Sequence, residues 1–293
     1  MAARDRVASN KASEPRIDVL CRQYEASSPE EAVRAAAREL LERVEVTAAP
    51  VSLRALEEAV GIQGLRRESI GASGHLDVHG GRMSVRLRKE DAERRQNFSR
   101  AHEIAHALLL GIEGRSSQAR STKTRPSPPG PLEERLCNVV AAELLMPVRL
   151  VKHHAVTQKT SGTGLRRLAD LFQTSCEAMA RRLVELDTWL FAYVEWAPVR
   201  VQEPVFAPNL IVSSLPIKRA LQTLTLGPRS CVGGAYIGIS MTQGSESIRW
   251  RGRSRKLTFE CWPSLFHGKV QAVRSVITPV TPFRKQDRIS RLE

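Results

Sequence analysis

The chain has 293 residues, 42% of them apolar, and a formal net charge of +14. That length accommodates two domains with a small linker module, and the apolar content supports a real core. No apolar run reaches the roughly 18 residues of a membrane span, and the five scattered cysteines show neither zinc-finger nor redox spacing.

Residues 1–27 are polar and charged, with no apolar segment of the kind a secretory signal needs, and read as a flexible tail. Ser28-Pro29-Glu30-Glu31 combines a capping box with proline at the first helical position. It opens a helix to about Val44, with Val33, Ala36, Leu40, Leu41 and Val44 on one side. A second helix follows Ser52 and ends near Gly61. His75 to Val78 and Met83 to Leu87 read as strands around a His79-Gly80-Gly81 turn, the second being an edge strand able to pair with substrate backbone. His75 and His79 lack metal-ligand spacing and read as plain surface histidines.

Next comes a helix with Asp91 as N-cap and an apolar flank of Phe98, Ala101, Ile104, Ala105 and Leu108 to Leu110. It contains His102-Glu103-x-x-His106, an HExxH pattern. Spacing of four sets both imidazoles on one helix face, one turn apart, where they can share one ion. Glu103 points to the side, placed as a base toward water rather than as a ligand. Two neutral imidazoles, a carboxylate base and a rigid helix suit a zinc hydrolase.

Gly111 to Pro131 reads as a loop, and Leu132 to Met146 as a helix stopped by Pro147. Glu134 and Asn138 share a face of that helix. Glu134 would complete a three-ligand site with His102 and His106, and Asn138 would hold one histidine from behind. Glu133 and Glu143 are rival ligands; Glu133 lies about 100° round the helix from Glu134.

The blocks Asn97 to His106, Glu134-x-x-x-Asn138 and Ala141-Ala142-Glu143-Leu144-Leu145-Met146-Pro147 together resemble the ImmA/IrrE family of metallopeptidases. That family's pattern runs F-x-x-A-H-E-x-x-H, then E-x-x-x-[ND]-x-F-A-A-x-L-L-M-P. Ala105 stands here for a frequent glycine and Val140 for a frequent phenylalanine. The resemblance covers about residues 30–155 and, more loosely, the helices to 186. It implies an α+β chain whose peptidase domain, 28–155, has a gluzincin-like fold. It implies zinc on His102, His106 and Glu134, with Glu103 as catalytic base. It further implies cleavage of a cytoplasmic helix-turn-helix repressor, switching on stress, DNA-damage or mobile-element genes. The IrrE branch adds a helical module and a C-terminal sensor-like domain. Manganese or iron suits the same ligands.

Residues 156–186 read helix–turn–helix: Leu165 to Phe172, a Gln173-Thr174-Ser175 turn, then Cys176 to Leu186. The turn lacks the usual glycine, so a helical pair that packs against the peptidase is preferred to a DNA reader. Residues 187–293 read as a mixed α/β, sensor-like domain, with strand character at Thr188 to Val194, Asn209 to Val212, Gly234 to Ser240, Lys256 to Cys261 and Val270 to Ile277. Residues 201–293 hold 14 Lys or Arg against 5 Asp or Glu. The run Arg249-Trp250-Arg251-Gly252-Arg253-Ser254-Arg255-Lys256 offers nucleic acid both phosphate partners and a stacking ring. Cys21, Cys137, Cys176, Cys231 and Cys261 read as reduced, mostly buried thiols of a cytoplasmic protein. Sequence does not reveal the oxyanion-stabilising group. His153 and His154 are the nearest candidates after the second helix, although surface placement is preferred. Two other readings use the same residues: an inert peptidase fold that binds DNA, and a partner that sequesters a repressor without cutting it.

Overall fold

The computed structural model describes residues 14–116, 130–200, 204–266, 268–281 and 283. The chain divides into two compact units, one holding residues up to 150 with 171–175, the other 151–170 with 176 onward.

The first unit opens with α1 (Glu14–Gln23), α2 (Pro29–Arg43) and α3 (Leu53–Val60). α1 occupies part of the stretch expected to be a tail: Leu20 is buried, and the Tyr24 hydroxyl donates to Glu39 Oε2 at 2.6 Å. At α2, Ser28 Oγ accepts from the Glu31 N–H at 3.2 Å. The return bond of the capping box is displaced by one residue, because Glu31 Oε2 accepts from the N–H of Ser27, not Ser28. α3 is capped by Ser52 and stopped by Gly61, whose φ of 84° is left-handed.

Strands β1 (Ile62–Glu68), β2 (Gly74–His79) and β3 (Arg82–Arg88) form a sheet in the order β1-β3-β2. β2 and β3 are antiparallel across a tight turn in which Gly80 and Gly81 take φ of 55° and 79°. β1 runs parallel to β3. The strand before the active helix is therefore central, not an edge as expected; β2 is an edge. β1 escapes a sequence reading because Gln63, Gly64, Arg66, Arg67 and Glu68 leave little apolar alternation.

α4 spans Glu93–Ser116. It starts two residues beyond Asp91, whose Oδ2 meets no hydrogen-bond partner among the described residues. The Ala92 carbonyl accepts from the Gln96 N–H at 2.9 Å instead. The Gln96 amide then donates to the carbonyls of Arg88, Lys89 and Asp91, which fixes the turn from β3 into the helix. The helix runs on through Gly111, so the expected loop begins later; residues 117–129 lie outside the described part. α5 (Pro131–Leu145) follows with proline in its first turn. α4 packs on α3, α5, β2 and β3, burying Ala101, Ile104, Ala105 and Ala107. α5 buries Leu136, Cys137, Val140, Ala141 and Leu144. Glu57 on α3, itself buried, forms a two-pronged ion pair with Arg100 and ties α3 to α4. α6 (Val148–Val156) comes next.

α7 (Gly162–Leu171) and α8 (Cys176–Glu185) flank a turn in which Gln173 adopts a φ of 52°, the conformation a glycine would supply. The second unit then adds β4 (Ala192–Pro198), β5 (Phe206–Ser213), α9 (Lys218–Gln222), α10 (Cys231–Gly238), β6 (Thr242–Trp250), β7 (Arg253–Phe266) and β8 (Lys269–Pro279). Its five strands are antiparallel throughout, in the order β5-β4-β8-β7-β6. Trp196, Phe206, Leu221, Val232, Ala235, Leu257, Phe259 and Val273 belong to one buried apolar cluster. The Trp196 indole donates to Ser275 Oγ at 2.8 Å, satisfying both buried groups.

The stretch 234–240, expected as a strand, is mostly α10. Its run Val232 to Ile237 carries no charge, and apolar periodicity alone does not separate strand from buried helix. Ser230 decides locally: its hydroxyl oxygen caps the helix by accepting from the Gly233 N–H at 3.1 Å. β6 is unmarked in sequence because only Ile248 along it is fully buried.

Candidate active site

α4 and α5 bring His102, His106 and Glu134 into one cluster. The two Nε2 atoms lie 3.1 Å apart. Glu134 Oε2 is 3.1 Å from His102 Nε2, and Glu134 Oε1 is 3.4 Å from His106 Nε2. Four ligands on tetrahedral bonds of about 2.0–2.1 Å stand roughly 3.3 Å from one another. The two imidazole nitrogens have about that spacing, the Glu134 carboxylate offers one oxygen to each, and two imidazoles with one carboxylate suit zinc, manganese or iron.

The far nitrogen of each ring is also engaged. His102 Nδ1 lies 3.1 Å from Asn138 Oδ1, one helical turn beyond Glu134 on the same face of α5. His106 Nδ1 meets Glu133 Oε1 at 3.4 Å and Cys137 Sγ at 3.3 Å. Glu133 and Cys137 are again four apart. α5 thus presents two adjacent i, i+4 pairs, one holding each histidine from behind. Glu133, a rival ligand on sequence grounds, reaches His106 from the side opposite Glu134. Glu143, the other rival, is buried in an ion pair with Arg34 at 3.5 Å and stays out of the cluster. Burial, reinforced by neighbouring His106, holds the His102 imidazole below its ordinary range, which favours the neutral form that ligates metal.

Glu103 is 5% exposed and lines a cleft of about 360 Å³ together with His102, His106, Glu134 and Asn138. The start of β2 closes down on it: a Cβ on Gly74 would sit 2.9 Å from Glu103 Oε1. Nothing in the sequence marked Gly74; it reads as an ordinary strand-leading glycine. His75, expected to be a plain surface histidine, lines this cleft, as does Arg95. His75 Nε2 lies 3.5 Å from Asp77 Oδ1. His153 and His154 sit in the last turn of α6.

The sequence profile of the IrrE N-terminal-like domain matches residues 60–184. Both histidines, Glu103, Glu134 and the Gly74 strand lie inside that match. This segment is similar to the IrrE N-terminal domain. Over 118 residues the chain is 36% identical to the radiation response metalloprotease IrrE of Deinococcus radiodurans, covering 39% of this chain and 32% of that one. With the protein of the same name from Deinococcus deserti it is 37% identical over 94 residues, covering 31% and 32%. The chain thus matches about a third of the length of these curated relatives. Across more of its length it shares a fold, at 13% identity and a TM-score of 0.52, with a Mycobacterium tuberculosis transcriptional regulator, covering 90% of this chain and 79% of that one. Both curated relatives are named metalloproteases, and the His102–His106–Glu134 cluster is one that could hold a metal ion. No helix among the described residues is long and apolar enough to cross a membrane.

Outside the IrrE-like domain, the basic run of residues 249–256 forms the β6–β7 hairpin tip, turning at Arg251 and Gly252 with φ of 48° and 72°. The Trp250 ring meets the guanidinium groups of Arg251 and Arg255 at 4.9 and 5.7 Å and Phe283 edge-on at 5.4 Å. A nucleobase would have to displace one of these cations to stack there.

Proposed function

We propose that the chain is a zinc-dependent endopeptidase that cleaves a cytoplasmic helix-turn-helix repressor. One observation carries this reading: ligand atoms of His102, His106 and Glu134 gather within 4.8 Å of one another, beside a buried glutamate that is not one of them. Three lone-pair atoms facing one another in a partly buried cleft are costly to hold unless a cation or proton lies among them.

His102, His106 and Glu134 would hold the metal, Asn138 fixing the ring of His102 and Glu133 that of His106. A divalent cation bound there supplies Lewis acidity, lowering the pKa of water and polarising a carbonyl. Glu103 takes the proton from the attacking water and passes it to the leaving amine. Gly74 leaves room for that carboxylate, because any side chain at this position would press on Oε1. His75 and Arg95, on the cleft wall, are placed to meet the substrate backbone and the developing oxyanion. The exposed edge of β2 suits an extended peptide, since a free strand edge offers unpaired N–H and C=O groups.

The test uses the zinc-loaded full chain and candidate helix-turn-helix repressors from the same genome. Two fragments of the repressor by mass spectrometry, absent with chelator and with Glu103→Gln, are expected. Intact repressor bound tightly to the chain would replace cleavage with sequestration.

A further inference from the structure

Cys231 occupies the first position of α10, just after its cap Ser230. Its Sγ lies 3.3 Å from Thr242 Oγ1 and 3.6 Å from the Phe259 carbonyl oxygen. Thr242 on β6 is the direct ladder partner of Cys261 on β7. Directly paired residues project from one face of a sheet with Cβ atoms about 4.5–5.5 Å apart, and residues two apart on a strand share that face. Thr242, Phe259 and Cys261 therefore all meet the start of α10 on the same side. Cys261, paired with Thr242, thus faces the Cys231 sulfur from the sheet side. Gly244, two residues after Thr242, leaves the approach open: a Cβ there would stand 3.3 Å from Cys231 Cβ. Cys261 is fully buried, whereas Cys231 is half-buried.

The two thiols differ in character. The neighbouring Cys261 thiol brings Cys231 down to about 7, against the opposing effect of burial. A first-turn position on a helix favours the thiolate further. Glu246, whose Oε1 accepts from the Cys231 N–H at 3.3 Å, is the acidic neighbour that works against it. Cys261 is pushed far up by the neighbouring Cys231 and by burial, so it stays a thiol.

We propose that Cys231 and Cys261 form an oxidation site for hydroperoxides in the second unit, with Cys231 attacking and Cys261 resolving. The Cys231 thiolate attacks one peroxide oxygen; the O–O bond breaks, and the other oxygen leaves and takes up a proton. Cys231 is then a sulfenic acid. The Cys261 sulfur, losing its proton, attacks the Cys231 sulfur; the S–O bond breaks and hydroxide leaves as water. With hydrogen peroxide, two thiols and one peroxide give one disulfide and two waters. The bridge would tie α10 to β7, with the two sulfurs about 2 Å apart.

The test treats the full-length chain with a slight excess of hydrogen peroxide, blocks remaining thiols by alkylation and maps peptides by mass. The expected product has lost two hydrogens and has the Cys231 and Cys261 peptides joined. Cys261→Ser should stop at a Cys231 sulfenic acid captured by dimedone, and Cys231→Ser should leave Cys261 reduced. Wild-type chain whose Cys231 stays reduced while another cysteine oxidises, or in which either residue bridges elsewhere, overturns the proposal. The wild-type arm decides even if a variant fails to fold.

Discussion

Around α4 the first unit buries polar and charged groups, Glu57, Glu103 and His106 among them, with Glu143 on the neighbouring helix. The cluster against the five-stranded sheet of the second unit buries Trp196, Phe206, Phe259 and Leu257 instead. Buried charge costs several kcal/mol unless a partner offsets it. Glu57 has Arg100 and Glu143 has Arg34. His102, His106 and Glu134 have chiefly one another, in a geometry that a cation would complete. The first unit gives up stability around its cleft for chemistry, whereas the sheet of the second follows the ordinary rules of an apolar core.

Substitutions on the two sides of this contrast should fail in different ways. Glu103→Gln keeps the ligands and removes the base, so cleavage should fall about 10²–10⁴-fold while metal content is unchanged; parallel activity and metal assays check this. In the second unit, Trp196→Ala should lower unfolding free energy by about 3–5 kcal/mol, read by denaturant titration. It would blur the contrast if the metal were lost before unfolding. Gly74→Ala should push the Glu103 carboxylate aside and cost roughly 10²-fold in cleavage, again with metal retained. Asn138→Ala frees the His102 ring and should weaken metal affinity about 10–100-fold, measured by chelator competition. Ser275→Ala, which leaves the Trp196 indole unsatisfied, should cost about 1–3 kcal/mol and leave metal affinity alone.

The same contrast governs what was legible in the sequence. Spacing of four within a helix is local, so the pairing of His102 with His106 and of Glu134 with Asn138 could be read directly. The caps at Ser28 and Ser52 and the Gly80-Gly81 turn were equally local. Gly74 was invisible because its meaning lies in a contact with Glu103, 29 positions away. His75 is a surface histidine outside the ligand cluster, as expected, but only the packing of β2 against α4 brings it to the cleft. β1 and β6 carry too little apolar alternation to stand out, and α10 too much apolar character to distinguish helix from strand. Cys231 and Cys261 are thirty positions apart and meet only through the β6–β7 register.

Elemental analysis of the purified full chain decides whether His102, His106 and Glu134 form a metal centre. One divalent ion per wild-type chain is expected, retained in Glu103→Gln and lost in His102→Ala and in Glu134→Ala. A wild-type chain that takes up no divalent ion, or a His102→Ala chain that holds it undiminished, would rule the metal centre out.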